Sequence, residues 1–496
     1  MALLFLLKEG TMLPNISKKT KIVCTIGPAS QTREMILKLY EAGMNVMRVN
    51  FSHGDHQEQL GKILIARDLE KEGIYLPVCL DTKGPEIRTG YMQEGGVPVS
   101  AGQRMKIKMD EVTGNEKEFS VTYKGLYDDV KNGDHILIDD GELDFEVIGK
   151  DSNDRSILVE AKNEHLLKDQ KGVNCPFSRL SMPFISEQDE KDLAFGVEHH
   201  VDAVFASFTR RPEDILDIKA TLKKYGDGDI PVFAKIENPE GVSKIDQIID
   251  VADGVMVARG DLGVEVPPEE VPVIQRHIIE RCRQKGKPVI TATQMLDSMQ
   301  KNPRPTRAEV SDVATAIEES SDCVMLSGES ASGKYPVLAV QMQAKIAATM
   351  EKYLNYENLA KEAYDTSEHS NNDAISNAVA NTALLVGAKL IINFTETGKS
   401  TARISKARPC CPIVSITNSR STALRSGWLW GVYSFLLKTS MPDFIEEMEV
   451  LGLKIARDLG IKPGEPIILV GGTPTGAGKT NFMRIVEVNS VKGFVK

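Results

Sequence analysis

At 496 residues the chain is too long for a single hydrophobic core, and about three domains are expected. A formal net charge of −10 disfavours nucleic acid or an acidic membrane surface as a partner. Seven cysteines, an odd number without a CxxC spacing, read as reduced thiols and not as a disulfide framework.

Residues 1–18 read as an N-terminal tail, with Met12 as an alternative start. Its apolar run, Ala2 to Leu7, is preceded by no basic region and followed by no small-residue cleavage site, so a secretory signal is not expected. No run approaches the roughly 18 apolar residues of a membrane span. A cytoplasmic protein with no membrane partner is the expectation.

Short apolar runs then recur at 21–27, 45–51, 77–84, 202–208, 232–238, 254–261, 288–295 and 323–330, with helix-length stretches between most of them. Such alternation predicts an α/β fold built on a (β/α)8 TIM barrel, assigned to residues 19–89 and 182–353. Residues 90–181 break the alternation. Short alternating strands separated by Gly, Asn and Asp turns predict a small β-barrel inserted after the third strand, placed to act as a lid. A helical stretch from Tyr335 to about Tyr353 and a polar linker at 364–372 lead into an open α/β domain, residues 354–496.

Nearly every barrel run turns polar at its C-terminal end, the edge at which such barrels bind ligands. Residues 232–263 carry the strongest signal: two strand-like runs flanking an amphipathic helix. Lys235 and Glu237 close the first run; Arg259, Gly260 and Asp261 close the second. Two carboxylates on neighbouring strand ends can share one Mg²⁺, with a lysine beside it to stabilise developing negative charge. A salt bridge at the mouth is the alternative. Arg48, Asn50 and Ser52 follow the second strand, and a guanidinium there suits phosphate. Asp81 and Thr82 end the third, with Glu86 and Arg88 close behind. These hard oxygen donors suit a cation lodged between the two strand ends. Thr293 and Gln294 end the seventh strand; Ser327 and Glu329 end the eighth.

Three further patterns carry less. The stretch GGTPTGAGKT (471–480) is no Walker A motif, because Thr473 stands where the motif needs glycine. His53 and His56 lack a nearby third ligand and read as loop residues. His199 and His200 read as a solvated helix end.

Taken in order, TKIVCTIGPAS, MRVNFSHG, LDTKGPEIRTG, FASFTR, AKIEN, ARGDLGVE, TATQMLDSM, PTRAEVSDVA and MLSGESASGKYP make a chain that resembles the pyruvate kinase family from about Lys19 onward. The resemblance implies phosphoryl transfer from phosphoenolpyruvate to ADP, giving pyruvate and ATP. It implies Mg²⁺ or Mn²⁺ on Glu237 and Asp261, and K⁺ on Asn50, Ser52, Asp81 and Thr82, with Glu86 the residue that accompanies K⁺ dependence. Arg48 would bind the transferring phosphate and Lys235 would stabilise its transition state. Gly260 and Asp261 would receive the substrate carboxylate through backbone N–H groups, and Thr293 would line the site of enolate protonation. Arg88 would contact nucleotide phosphates, whereas Gln188 stands where many relatives carry a basic residue and is given no nucleotide role.

In the C-terminal region Thr395, Thr397, Gly398, Lys399, Ser400 and Thr401 resemble the family's loop for a phosphorylated effector, often a sugar phosphate; a plain helix cap is the alternative. A homotetramer is a further expectation from the resemblance. Competing readings are another metal-dependent barrel enzyme of enolate chemistry and a catalytically silent metabolite sensor.

Overall fold

The computed structural model describes residues 15–489 except Phe177, so most of the expected 1–18 tail lies outside the described residues. Eight parallel strands close into a barrel: Lys21–Thr25, Val46–Asn50, Val78–Asp81, Ala203–Ala206, Val232–Ile236, Gly254–Ala258, Val289–Ala292 and Cys323–Leu326. Closure is made by the first strand pairing with the eighth, Lys21 opposite Cys323.

The apolar runs of these strands bury both faces, as a parallel sheet requires. Side chains alternate across the strand. Val23, Phe205, Phe233, Met256, Ile290 and Met325 therefore fill the barrel interior. Ile22, Cys24, Met47, Val49 and Val204 instead meet the surrounding helices. Gly254 is required by that interior, since a Cβ there would come within 2.2 Å of the Phe233 ring.

The inserted region follows the third strand. Its seven-stranded sheet runs from Ile87–Arg88 at one edge to Glu118–Ser120 at the other, around its own apolar core of Ile107, Phe119, Phe145 and Ile157. A bridge between Thr89 and Val121 joins the two edges. Gly90 N–H donates to Ser120 C=O and Thr122 N–H to Arg88 C=O, both at 2.8 Å, so the sheet curls onto itself.

The C-terminal sheet has the order Val432–Leu436, Ile413–Thr417, Leu390–Phe394, Pro466–Gly471 and Phe482–Glu487, with only the last strand antiparallel. The strand Val432–Leu436 was not expected. Its apolar run is parted from Trp428–Trp430 by Gly431 alone, with no polar residue to mark the boundary.

Two expectations need correction. The polar linker is only partly a linker: helix Tyr356–Asp365 enters it, and Ser370 caps helix Asn371–Val386 in a capping box with Asp373. The single helix expected between the fifth and sixth strands is two, Pro239–Ser243 and Ile245–Val251, broken at Lys244.

The barrel and the C-terminal sheet share buried contacts. Trp428 sets its ring edge-on to Phe233 inside the barrel, centroids 5.3 Å apart, and plugs the end opposite the strand C-termini. Arg408 reaches across to the barrel, donating to Asp322 Oδ1 at 2.8 Å and to Ser320 C=O at 2.9 Å. Asp322 Oδ2 in turn accepts the Val289 N–H at 3.0 Å. All of Arg408, Asp322 and Ser320 are buried. Removing one partner of such a pair strands the other charge, at a cost of about 3–5 kcal/mol. Asp322→Ala is therefore expected to lower the denaturation midpoint by that equivalent, read by urea unfolding. A shift no larger than that of an exposed Asp→Ala control would show the pair to be incidental.

Candidate active site

The strand ends of the barrel bring four charged side chains together. Arg48 lies on the second strand, Asp81 on the third and Lys235 on the fifth, with Glu237 just beyond it. Arg48 Nε donates to Asp81 Oδ2 at 2.5 Å and Arg48 Nη1 to Thr25 Oγ1 at 2.8 Å. Lys235 Nζ donates to Asp81 Oδ1 at 3.2 Å and to Ser207 Oγ at 2.7 Å, and lies 3.0 Å from Glu237 Oε1. Ser207 in turn donates to Thr82 C=O at 2.6 Å.

Every member of this cluster is buried, so ionisation is set by the balance of desolvation against pairing. Burial pushes the Asp81 carboxyl up, but the Arg48 and Lys235 charges outweigh it and hold that carboxyl below its ordinary value. Burial pulls Lys235 down, yet the Asp81 and Glu237 carboxylates keep its ammonium above the usual lysine value. Glu237 goes the other way. Its complete burial and the nearby Asp261 charge push it up to about 7, against the pull of Lys235.

Glu237 is thus short of positive charge. Oε2 accepts the Phe208 N–H at 2.5 Å, but Oε1 has no aligned hydrogen-bond donor despite its nearness to Lys235. A buried carboxylate oxygen without a donor, beside a second carboxylate, fits a hard divalent cation. Glu237 and Asp261 are the residues that would hold it.

The seventh and sixth strands contribute Thr293 and Gly260. Thr293 Oγ1 accepts the Gly260 N–H at 2.7 Å, so in this structure the expected carboxylate-binding N–H is already engaged by a hydroxyl. Thr293 and Gln294 both sit in the left-handed region, with φ of +68° and +53°. A β-branched residue is strained there, and Arg259 holds the conformation. Its guanidinium forks onto Asp312 at 2.6 and 2.7 Å while Nη2 also donates to Thr293 C=O at 2.7 Å. Ser327 and Glu329 stand apart from the charges: Glu329 accepts the Leu296 and Ser327 N–H groups and braces these loops.

The oxygen donors expected for K⁺ have the following places. Asn50 faces Asp81 across the second and third strands, and Asn50 Oδ1 accepts the Ser52 N–H at 3.1 Å. Thr82 Oγ1 accepts the Ser207 N–H at 3.1 Å. Asp81 already gives Oδ2 to Arg48 and Oδ1 to Lys235, so a cation there would share a carboxylate of the buried charge cluster.

Between the barrel mouth and the inserted region lies a cleft of about 480 Å³, walled by Glu86, Asp140, Arg179, Arg210, Asp261 and Glu265 among others. Asn174 of the insert donates to Glu265 Oε1 of the barrel at 2.7 Å across it. Arg88 lies at the base of the insert, where it pairs with Glu86 at 2.5 Å and donates to Gln170 C=O at 2.7 Å. Gln188 donates to Asp192 Oδ1 at 2.7 Å, an oxygen that also lies 2.6 Å from His56 Nε2. His56 is therefore a partner of Asp192 and not a member of a histidine pair. Among the described residues no cluster of three or more His, Cys, Asp and Glu has metal-binding geometry.

In the C-terminal domain a separate pocket of about 210 Å³ is walled by Thr395, Thr397, Lys399, Ser400 and Arg403 and by the turn at Thr475–Gly478. Gly398 adopts φ +74° and its N–H donates to Thr395 Oγ1 at 3.0 Å, shaping the loop from behind. Thr401 is turned inward: fully buried, it accepts from Asn393 at 2.7 Å and lies 3.0 Å from Ser415 Oγ. Of the six residues expected to meet an effector, Gly398 and Thr401 thus do not line the pocket.

Sequence reasoning missed Ser207 and the Arg259–Asp312 clamp. Ser207 lies one residue past the fourth strand in FASF, a position at which the other strands also turn polar. That rule, applied evenly, would have found it.

Comparison with known proteins then gives the following. The family model described as "Pyruvate kinase, barrel domain" matches residues 17–340, and "Pyruvate kinase, alpha/beta domain" matches residues 373–486. A pyruvate kinase of Bacillus licheniformis is 45% identical over 478 residues, covering 96% of this chain and 81% of the relative. One of Geobacillus stearothermophilus is 45% identical over 479 residues with the same two coverages, 96% and 81%. One of Staphylococcus aureus is 46% identical over 475 residues, covering 94% of this chain and 80% of its own length.

The raised Glu237 carboxyl would make binding of a divalent cation at this site pH-dependent. Below its value of about 7 the ligand-free carboxyl is protonated, and an entering cation must expel that proton. Mn²⁺ affinity is expected to be flat above pH 8 and to fall by about tenfold per unit below pH 7, measured by calorimetry. Glu237→Gln should abolish this dependence along with tight binding; an unchanged affinity between pH 8 and 6 would contradict the assignment.

Proposed function

The chain belongs to the pyruvate kinase family, and from that premise we propose that it transfers the phosphoryl group of phosphoenolpyruvate to ADP, producing pyruvate and ATP. In this reading it catalyses the last step of glycolysis in the cytoplasm, with Mg²⁺ or Mn²⁺ and K⁺. The observation that supports it most is the Lys235 ammonium, kept protonated in a buried site by Asp81 and Glu237 and pointed at the strand-end mouth.

Phosphoryl transfer asks for positioning and charge neutralisation, with little covalent chemistry. Arg48, braced by Asp81 and Thr25, binds the phosphate of the substrate. Lys235 stabilises negative charge as the bond to that phosphate breaks, in surroundings where a fixed charge acts strongly. Glu237 and Asp261 would hold the divalent cation, which would supply Lewis-acid neutralisation of substrate oxygens. The substrate carboxylate takes the Gly260 and Asp261 N–H groups, displacing the Thr293 hydroxyl from the first. Thr293 is then free to serve the carbon face at which the enolate is protonated. Asn50, Ser52, Asp81 and Thr82 would hold K⁺, and Arg88 leaves Glu86 to meet nucleotide phosphates.

In the same reading residues 19–89 and 182–353 are the catalytic domain, 90–181 the lid and 354–496 a regulatory domain. Closure of the lid excludes water from the phosphoryl group. A sugar-phosphate effector occupies the pocket of Thr395, Thr397, Lys399 and Ser400, and the enzyme assembles as a homotetramer. Among the described residues no helix is long and apolar enough to cross a membrane.

The reading is tested by pyruvate formation from phosphoenolpyruvate and ADP with Mg²⁺, comparing K⁺ with Na⁺. Turnover stimulated by K⁺ is expected; absence of turnover from folded protein would overturn it. Lys235→Met should reduce kcat by about 10³-fold with a small change in KM, as loss of a transition-state charge does. Gln188→Lys should lower KM for ADP by supplying a cation beside the lid, and an unchanged or higher KM would count against that placement. Lys399→Ala should remove any response to a sugar bisphosphate while leaving basal turnover intact.

A further inference from the structure

The turn Asn50–Gly54 joins the second barrel strand to helix His56–Glu70 and carries two of the oxygen donors assigned to K⁺. Its N–H groups are met by Asn50 Oδ1, at 3.1 Å from Ser52, and by Asp81 C=O, at 3.0 Å from Phe51, but the backbone closure of the turn is long. The His53 N–H reaches Asn50 C=O only at 3.4 Å, and Gly54 closes the turn at φ +73°. Its carbonyls converge instead on a single side chain: Gln59 Nε2 donates to Asn50 C=O at 3.1 Å and to His53 C=O at 2.6 Å.

Gln59 stands on the first turn of the helix and is 1% exposed, so no water replaces these bonds. Its orientation is settled by chemistry. Lys62 Nζ lies 3.1 Å from Gln59 Oε1, and an ammonium has only donors, so the amide oxygen must face Lys62 and both amide hydrogens must face the turn. Lys62 is itself anchored by Glu58 at 2.8 Å.

We propose that Gln59 is a positioning residue for the monovalent-cation site: its two N–H groups fix the Asn50–His53 backbone and thereby the spacing of the Asn50 and Ser52 oxygens. The proposal rests on the K⁺ reading given above. The hydrogen bonds of the Gln59 amide go to Asn50, His53 and Lys62, and none to Lys235, Glu237 or Asp261. Its loss should therefore weaken K⁺ binding without disabling the transfer step. Selection among monovalent ions depends on donor spacing held against the ion's own pull, so selectivity should fall as well.

The experiment measures K⁺ binding without substrates, as the thermal shift K⁺ gives the purified enzyme, beside K⁺ activation, with Na⁺ in parallel, for wild type, Gln59→Glu, Gln59→Leu and Lys62→Met. Gln59→Glu keeps the shape and the Lys62 contact but has no hydrogen to donate. Both Gln59 variants are expected to raise the half-activating K⁺ concentration by about tenfold, as loss of an outer-shell partner does. The K⁺/Na⁺ preference should narrow in both, with kcat at saturating K⁺ within about twofold of wild type. Lys62→Met should shift the K⁺ constant in the same direction by less, and it carries the test if the Gln59 variants do not fold. A K⁺ constant within about twofold of wild type in the folded variants would overturn the proposal. So would a loss of kcat at saturating K⁺ with that constant unchanged. A wild-type enzyme indifferent to K⁺ would overturn the cation reading itself, and that is seen before any variant is made.

Discussion

The site depends on one buried ion cluster, Arg48–Asp81–Lys235–Glu237, assembled at the mouth of the barrel. Two cations and two carboxylates taken out of water are tolerable only because each finds an opposite charge within about 3 Å and further hydrogen bonds from Thr25, Ser207 and Phe208. The balance is uneven by design of the geometry. Asp81 is met by two cations, whereas Glu237 shares one cation and feels the Asp261 charge. The cluster therefore holds Asp81 firmly ionised and leaves Glu237 in want of a further positive charge. That difference makes Glu237 the one of the two that suits a divalent cation.

Around this cluster, the barrel supplies rigidity and the loops supply unusual backbone. The interior is filled by Phe205, Phe233 and Met256, and the far end is closed by Trp428 from the C-terminal region. Strand ends can then be held in place while the loops adopt conformations that residues resist on their own. Thr293 and Gln294 at positive φ are held by the Arg259 fork onto Asp312; the Asn50–Gly54 turn is held by Gln59. In both cases a polar side chain replaces hydrogen bonds that a regular strand or helix would have made. The plug has a second consequence. Trp428 and the Arg408–Asp322 pair make the C-terminal sheet part of the barrel's own floor, so a change in one domain meets the other through buried contacts.

Much of this was legible in the chain. Eight buried runs ending in polar residues specify a barrel and its working edge, because the period of burial and the location of charge are both local properties. Lys235, Glu237 and Asp261 could be named for the same reason. The β insert was legible from its period of two. Where local pattern was silent the reading went astray. The strand Val432–Leu436 follows the apolar Trp428–Trp430 segment closely, and helix Tyr356–Asp365 runs two residues into the polar stretch 364–372.

What the sequence by itself determined was the set of elements and the residue types at their ends. Only the tertiary structure decided which of those residues meet. Ser207 and Asp81 are 126 residues apart in the chain, Arg259 and Asp312 are 53 apart, and Asp322 finds Arg408 across 86. A carboxylate's partner sets whether it stays charged, and no local pattern encodes a partner that far away. Asp81 and Glu237 are both acidic residues at barrel strand ends; folding alone made one a saturated anion and the other a carboxyl held near neutrality.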